Sequence, residues 1–209
     1  LYFGFPQWLT QKLIDEFGFD SAFHFMENSN CSAPLFFIIN QAHANGPQTL
    51  KSLVNQGIKI FPLPRIQQKD CGLSCFLFAR RSDVGNEFVI DLLRKGSLAI
   101  SDGAAQKVAS LAVPDCFPDR FLEIGAGRGT KSLLLQNVAL SRFGKQMAHD
   151  TLDVDQSRTK ERISRLKQAD IVQNEVFCQD ATHLSHFSDA TYDAVFIDAP
   201  CTGVGTLRR

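Results

Sequence analysis

"RFLEIGAGRGTKS", Arg120 to Ser132, decides the fold. An apolar run ends at a carboxylate, glycines follow at 125, 127 and 129, and a leucine-rich segment comes next. Glycine lets the backbone turn sharply and approach a ligand closely, so the stretch reads as strand, turn and helix start. The spacing is G-x-G-x-G, with Thr130 where the dinucleotide pattern G-x-G-x-x-G has its last glycine, and this weakens a nicotinamide reading.

The rhythm continues downstream. "KSLLLQNVALSRF" reads as a helix, "MAHDTLDV" as a strand, "QSRTKERISRLKQA" as a helix, and "NEVFCQ" and "YDAVFID" as strands. Such alternation predicts an α/β fold with a parallel, doubly wound, Rossmann-like sheet. Four strands are visible where such sheets usually continue, so the expected sheet is truncated after the fourth. The chain starts at Leu1 rather than Met and stops at Arg209, and the expectation is a fragment.

Upstream the pattern differs. "FPQWLTQKLIDEFG" predicts a helix with Pro6 in its first turn and Gly18 at its end. "APLFFIIN", "KIFPLP" and "SCFLFA" read as strands. "NGPQTLKSLVNQGI" reads as a helix started by Pro47, with a Leu50–Leu53–Val54 stripe, and "EFVIDLLRKG" as a short amphipathic helix. This order suggests a small α+β, ferredoxin-like domain over residues 1–100. Residues 101–209 form the second domain, opened by a helix capped by Ser101 or Asp102 with a buried Ala/Val/Leu face.

Bulk composition bounds the rest. With 44% hydrophobic and 21% charged residues the chain is an ordinary globular protein, and no apolar run nears the roughly 18 residues of a membrane span. Net charge is zero; residues 1–100 carry 9 basic and 8 acidic residues, and residues 101–209 carry 13 and 14. Neither half has the clustered basic footprint of a sequence-independent nucleic-acid binder. The run Arg158, Lys160, Arg162, Arg165, Lys167 reads as a solvated helix face. Six cysteines lack framework or metal-ligand spacing (Cys71 and Cys75 form only C-x3-C), so buried free thiols in a cytosolic protein are expected and no metal.

Acids at strand ends carry the chemistry. Ligands of doubly wound sheets bind beyond the carboxyl ends of the strands. Asp153 ends the second strand and suits the ribose hydroxyls of a nucleoside; Asp155 is the rival, or caps the next helix. Asp180 follows the third strand and suits an adenine amino group. Asp198 ends the fourth, in "IDAPCTGVG", and suits the amidine edge of a cytosine. Cys201 follows, where a thiol with a lowered pKa or a helping base can attack a ring carbon. Carbon-5 of a pyrimidine is a poor nucleophile until a thiolate adds to carbon-6. Amine methylation needs no thiol, and its N-P-P-Y-type segment is absent.

Acid-x-G-x-G-x-G after a strand resembles motif I of S-adenosylmethionine-dependent methyltransferases. "DAPCTGVG" is similar to motif IV, D-A-P-C-S-G-x-G, of the RNA cytosine-5 methyltransferases of the Sun/Fmu/Nop group. "FPQWLTQKL", "APLFFIIN" and "ISDGAAQKVA" resemble that family's P-x-W-L helix, P-x-x-x-R-V-N strand and Q-D-x-A helix. The likeness spans essentially the whole chain and is nearest to the bacterial 16S ribosomal RNA enzymes. It implies a cytoplasmic enzyme that transfers a methyl group from S-adenosylmethionine to cytosine carbon-5 in RNA. It implies a cofactor site at Glu123, Gly125, Ala126, Gly127, Arg128, Gly129, Thr130, Lys131, Asp153, Asp180 and Asp198. Asp198 and Cys201 would be catalytic, Cys201 assisting product release. The attacking thiol comes from a later T-C-S segment that these 209 residues do not contain. The usual A-A-P-G-G-K-T is G-A-G-R-G-T-K-S here, the strand arginine is missing, and Ser101 replaces a glutamine. Two alternatives remain: a cofactor- or RNA-binding module without turnover, and a methyltransferase for a non-RNA substrate.

Overall fold

A computed structural model describes residues 4–33, 35–62, 77–184, 187, 191–201 and 203. The chain forms two compact units, Leu1–Pro34 with Pro200–Arg209, and Leu35–Ala199. The boundary expected at residue 100 falls inside the larger unit.

In the smaller unit, α1 (Gln7–Phe17) is followed at once by α2 (Phe19–Ser29). Pro6 is the N-cap residue of α1 and not part of its first turn. Gly18, at φ 77°, ends α1 and opens α2: its N–H donates to Ile14 O at 2.9 Å, and its carbonyl accepts from Ala22 N at 3.0 Å. Phe5, Leu13, Ala22 and Met26 are buried together.

The larger unit holds two sheets. In the first, β1 (Leu35–Ile39), α3 (Gly46–Asn55), β2 (Phe61–Pro62), β3 (Leu77–Ala79), α4 (Glu87–Lys95) and β4 (Leu98–Ser101) build an antiparallel sheet in the order β2-β3-β1-β4. Phe36, Phe37 and Ile38 of β1 are buried, as an apolar strand covered on both faces should be. The expected α3 stripe is corrected: Leu53 is buried, while Leu50 and Val54 are exposed, and Thr49 is buried a turn before Leu53. Cys71 and Cys75 lie outside the described residues.

Asp102 caps α5 (Gly103–Ala112), its Oδ1 accepting from Ala104 N at 2.9 Å. The buried positions of this helix are Gln106, Ala109 and Ser110; Val108 and Leu111 are exposed, contrary to the expected Ala/Val/Leu face.

The second sheet comprises β5 (Phe121–Ile124), β6 (His149–Asp153), β7 (Val176–Cys178) and β8 (Ala194–Ile197), with α6 (Thr130–Phe143) and α7 (Gln156–Gln168) between them. All its pairings are parallel, in the order β7-β6-β5-β8. The chain moves outward from β5 to β7, then returns to the other side of β5. That reversal is the topological switch point of a doubly wound sheet.

One buried amide ties the two sheets. Asn40, just after β1, is fully buried. Its Nδ2 donates to Gly96 O at 2.8 Å and to Ala169 O at 2.6 Å. Its Oδ1 accepts from Ala42 N and from Asn137 Nδ2 on α6. Removing the amide strands several buried groups at once. Asn40→Leu is therefore expected to cost about 3 kcal/mol, since each stranded buried group costs roughly 1–3; a urea midpoint within error of the parent would contradict this.

The amino ends of β5, β6 and β8 are closed by a polar knot. Asp150 Oδ2 accepts from Arg120 Nη2 at 2.8 Å and from Tyr192 Oη at 2.7 Å, and its Oδ1 accepts from Asn174 Nδ2 at 2.7 Å. Burial alone would raise the Asp150 pKa, but bonds from Asn174, Tyr192, Arg120 and Glu175 N outweigh it and hold the carboxyl below its ordinary value. Tyr192 is pushed up to about 12, first by burial and then by its bond to Asp150. Its folded pKa lies above the unfolded value, so its contribution is full below pH 10 and is lost as pH rises through about 12. Spectrophotometric titration should show a tyrosine ionising near pH 12 that Tyr192→Phe removes, and a smaller loss of stability above pH 10 in that variant.

Candidate cofactor and base site

The switch point is built from glycine. Gly125, Gly127 and Gly129 have φ of 80°, 53° and 82°. A Cβ on Gly125 would stand 2.3 Å from the Asp198 carbonyl oxygen, so only glycine permits this approach of the two chains. Asp198 N donates to Ile124 O at 2.9 Å, extending the β5–β8 pairing by one residue. Gly125 N and Ala126 N both donate to Leu152 O, at 2.8 and 3.1 Å. The loop then enters α6, a 14-residue helix whose amino end offers unpaired N–H groups and a partial positive charge.

Three of the four expected acids lie at the carboxyl ends of β6, β7 and β8. Asp153 is buried, its Oδ2 accepting from Gly127 N at 2.7 Å and its Oδ1 from Asp155 N at 2.9 Å. A carboxylate has about four lone-pair sites, so acceptor capacity remains. Asp155 is the cap of α7, Oδ1 accepting from Arg158 N at 2.9 Å. Asp180 is exposed and turns on itself, Oδ1 accepting from Thr182 N and Oγ1, each at 2.8 Å. Those bonds lower its pKa. Asp198 is half-buried, and its Oδ2 accepts from Lys131 Nζ at 2.5 Å. Lys131 therefore joins the glycine loop to the end of β8.

Glu123, the remaining acid, is fully buried beneath the loop. Its Oε2 accepts from Ser132 Oγ at 2.6 Å and lies 3.1 Å from Nε2 of the equally buried His149. It braces the turn from inside. Ala126 is buried. Arg128 is exposed and pairs with Glu161 at 2.7 Å.

The basic run on α7 is corrected at one position. Arg158, Lys160, Arg165 and Lys167 are exposed, but Arg162 is fully buried and donates from Nη1 to Gly127 O at 2.9 Å. Arg162 shares an inward stripe with Thr159 and Leu166, at helical spacing, and that phase was the available signal.

The cysteines are corrected too. Cys31, Cys116, Cys178 and Cys201, the free thiols among the described residues, are all exposed, because they sit in loops or at the end of edge strand β7. Cys201 Sγ accepts from Gly203 N at 3.4 Å. No group of metal-ligating side chains occurs among the described residues, and no helix among them is long and apolar enough to cross a membrane.

Strand order, glycine loop and strand-end acids define a Rossmann-like, doubly wound α/β domain. The architecture matches the crystal structure of PH0851 with TM-score 0.77, 21% identity, 97% of this chain and 43% of that one. It also matches a methyltransferase homolog protein from Pyrococcus horikoshii, with TM-score 0.74, 19% identity, 100% of this chain and 63% of that one. Residues 115–209 match the family described as 16S rRNA methyltransferase RsmB/F. Relatives named ribosomal RNA small subunit methyltransferase B are 26% identical over 98% of this chain in Xylella fastidiosa and 28% identical over 99% in Xanthomonas campestris. The chain is thus similar to the 16S rRNA methyltransferases of the RsmB/F group. It spans 44% of the length of either relative.

The Gly125 contact yields a graded expectation. Gly125→Ala meets both backbone strain and Asp198 O, whereas Gly127→Ala meets strain alone, its nearest such atom being 3.9 Å away. Left-handed strain costs roughly 1–3 kcal/mol, so both variants should lose stability in urea, Gly125→Ala clearly more. Equal losses would refute the close approach.

Proposed function

We propose that this protein is an S-adenosylmethionine-dependent enzyme that methylates carbon-5 of a cytosine in ribosomal RNA in the bacterial cytoplasm. One observation carries the reading. The glycine loop and the Asp198 end of β8 meet at the switch point of the sheet, and Asp198 leads directly into Pro200 and Cys201.

The crevice fits the cofactor. Left-handed glycines keep side chains off the loop, the start of α6 favours a carboxylate, and Asp153 suits a ribose diol. Asp180 suits the adenine amino group. When bound, the cofactor supplies an electrophilic methyl group on a sulfonium. In this reading Asp198 accepts from the exocyclic amine of the cytosine while Lys131 holds its Oδ2. The target base is single-stranded or flipped out of its stack to reach that carboxylate. By the motif reading the thiolate that adds to carbon-6 belongs to a T-C-S segment these 209 residues do not contain; its addition would make carbon-5 nucleophilic, and after transfer loss of the carbon-5 proton would let that thiol leave. By its place in motif IV, Cys201 assists that release.

Ribosomal RNA is the proposed substrate because the named relatives are small-subunit ribosomal RNA methyltransferases. Bisulfite sequencing of 16S RNA from a deletion strain should show one 5-methylcytosine lost, restored by the wild-type gene and not by Asp198→Asn. An unchanged pattern in the deletion strain sinks the ribosomal assignment.

A further inference from the structure

We infer that Arg162 is a positioning residue for the cofactor loop: from inside the fold it fixes the Gly127 carbonyl while Asp153 fixes the Gly127 amide. The inference rests on the cofactor reading above. Arg162 is fully buried, and its Nη1 donates to Gly127 O at 2.9 Å. Gly127 N donates to Asp153 Oδ2 at 2.7 Å. The N–H and C=O of one residue are thus held by two side chains, one from α7 and one from the end of β6. The loop itself makes room, since a Cβ on Gly129 would meet Arg162 Cγ at 2.9 Å.

The placement is not explained by stability. Among the described residues Arg162 Nε and Nη2 have no hydrogen-bond partner, and burial pulls the guanidinium below its ordinary pKa, opposed by the charges of Glu123 and Asp153. A buried charge with unfilled donors is costly, and apolar replacements of similar volume are often neutral or stabilising. A leucine-like side chain would continue the Thr159–Leu166 stripe without that cost. What only a donor supplies is the hold on Gly127. An ordered loop spares a ligand the entropy of ordering it.

The test is calorimetric binding of S-adenosylmethionine to the wild type, Arg162→Met and Arg162→Lys, beside their urea midpoints. Arg162→Met should bind at least about tenfold more weakly, the equivalent of losing one charge-assisted hydrogen bond, with a midpoint equal to or above the wild type. Arg162→Lys retains a donor and should recover part of the affinity. A Met variant binding within twofold of the wild type overturns the inference, as does an affinity loss that merely follows a lowered midpoint. Amide exchange of the unliganded wild type is the second arm and needs no variant. Gly127 N–H should be protected like the strand amides of β5, and exchange at open-loop rates also overturns the inference. A wild type that binds no cofactor while Gly127 stays protected refutes the cofactor reading and leaves the clamp standing.

Discussion

The structure depends on one close approach, that of Gly125 to the backbone of Asp198. Parallel strands β5 and β8 sit side by side only because the residue leaving β5 carries no side chain. The sheet reverses its order there, so the two segments that carry chemistry come from opposite ends of the domain sequence yet share one crevice. The Lys131–Asp198 pair crosses the same gap. Left-handed glycines then deliver the chain into α6, whose amino end faces the site that the turn creates.

Below the loop lies a layer of polar groups that an apolar core would not contain. Glu123, Ser132, His149, Asp153 and Arg162 are all buried. Glu123 meets Ser132 and His149; Asp153 and Arg162 take opposite sides of Gly127. Several of these atoms go without partners among the described residues, including Glu123 Oε1 and two guanidinium nitrogens of Arg162. Such a layer costs stability, and its use is to hold a turn that has few contacts of its own. The knot of Arg120, Asp150 and Tyr192 is a different polar cluster, at the amino ends of the strands, where it closes the sheet away from the ligand.

Much of this was legible in the sequence, because parallel α/β units alternate apolar strands and helices with sharp signals between them. The helices and strands from Arg120 onward, the glycine turn and the strand-end placement of Asp153 and Asp198 follow from that alternation alone. Other features were hidden for physical reasons. Helix α2 begins directly after Gly18, which reads as a stop and serves also as a start. Strand β4 has four residues and follows a helix whose left-handed Gly96 cap resembles any loop. The buried Arg162 was masked by its exposed basic neighbours; charge type suggested solvent, while helical phase put it inside. Glu123 is buried because β5 is a central parallel strand covered on both faces, where charge type alone suggested solvent.

In the proposed reading S-adenosylmethionine lies over the carboxyl ends of β6, β5 and β8, against the glycine loop and the Asp153 carboxylate bonded to it. A crystal structure of the protein grown with S-adenosylmethionine tests it most directly. The account predicts cofactor density over Gly125–Gly129, with the ribose hydroxyls on Asp153 and the methyl group facing the Asp198 end of β8. Density elsewhere on the protein, or a ribose bound away from Asp153, would contradict it.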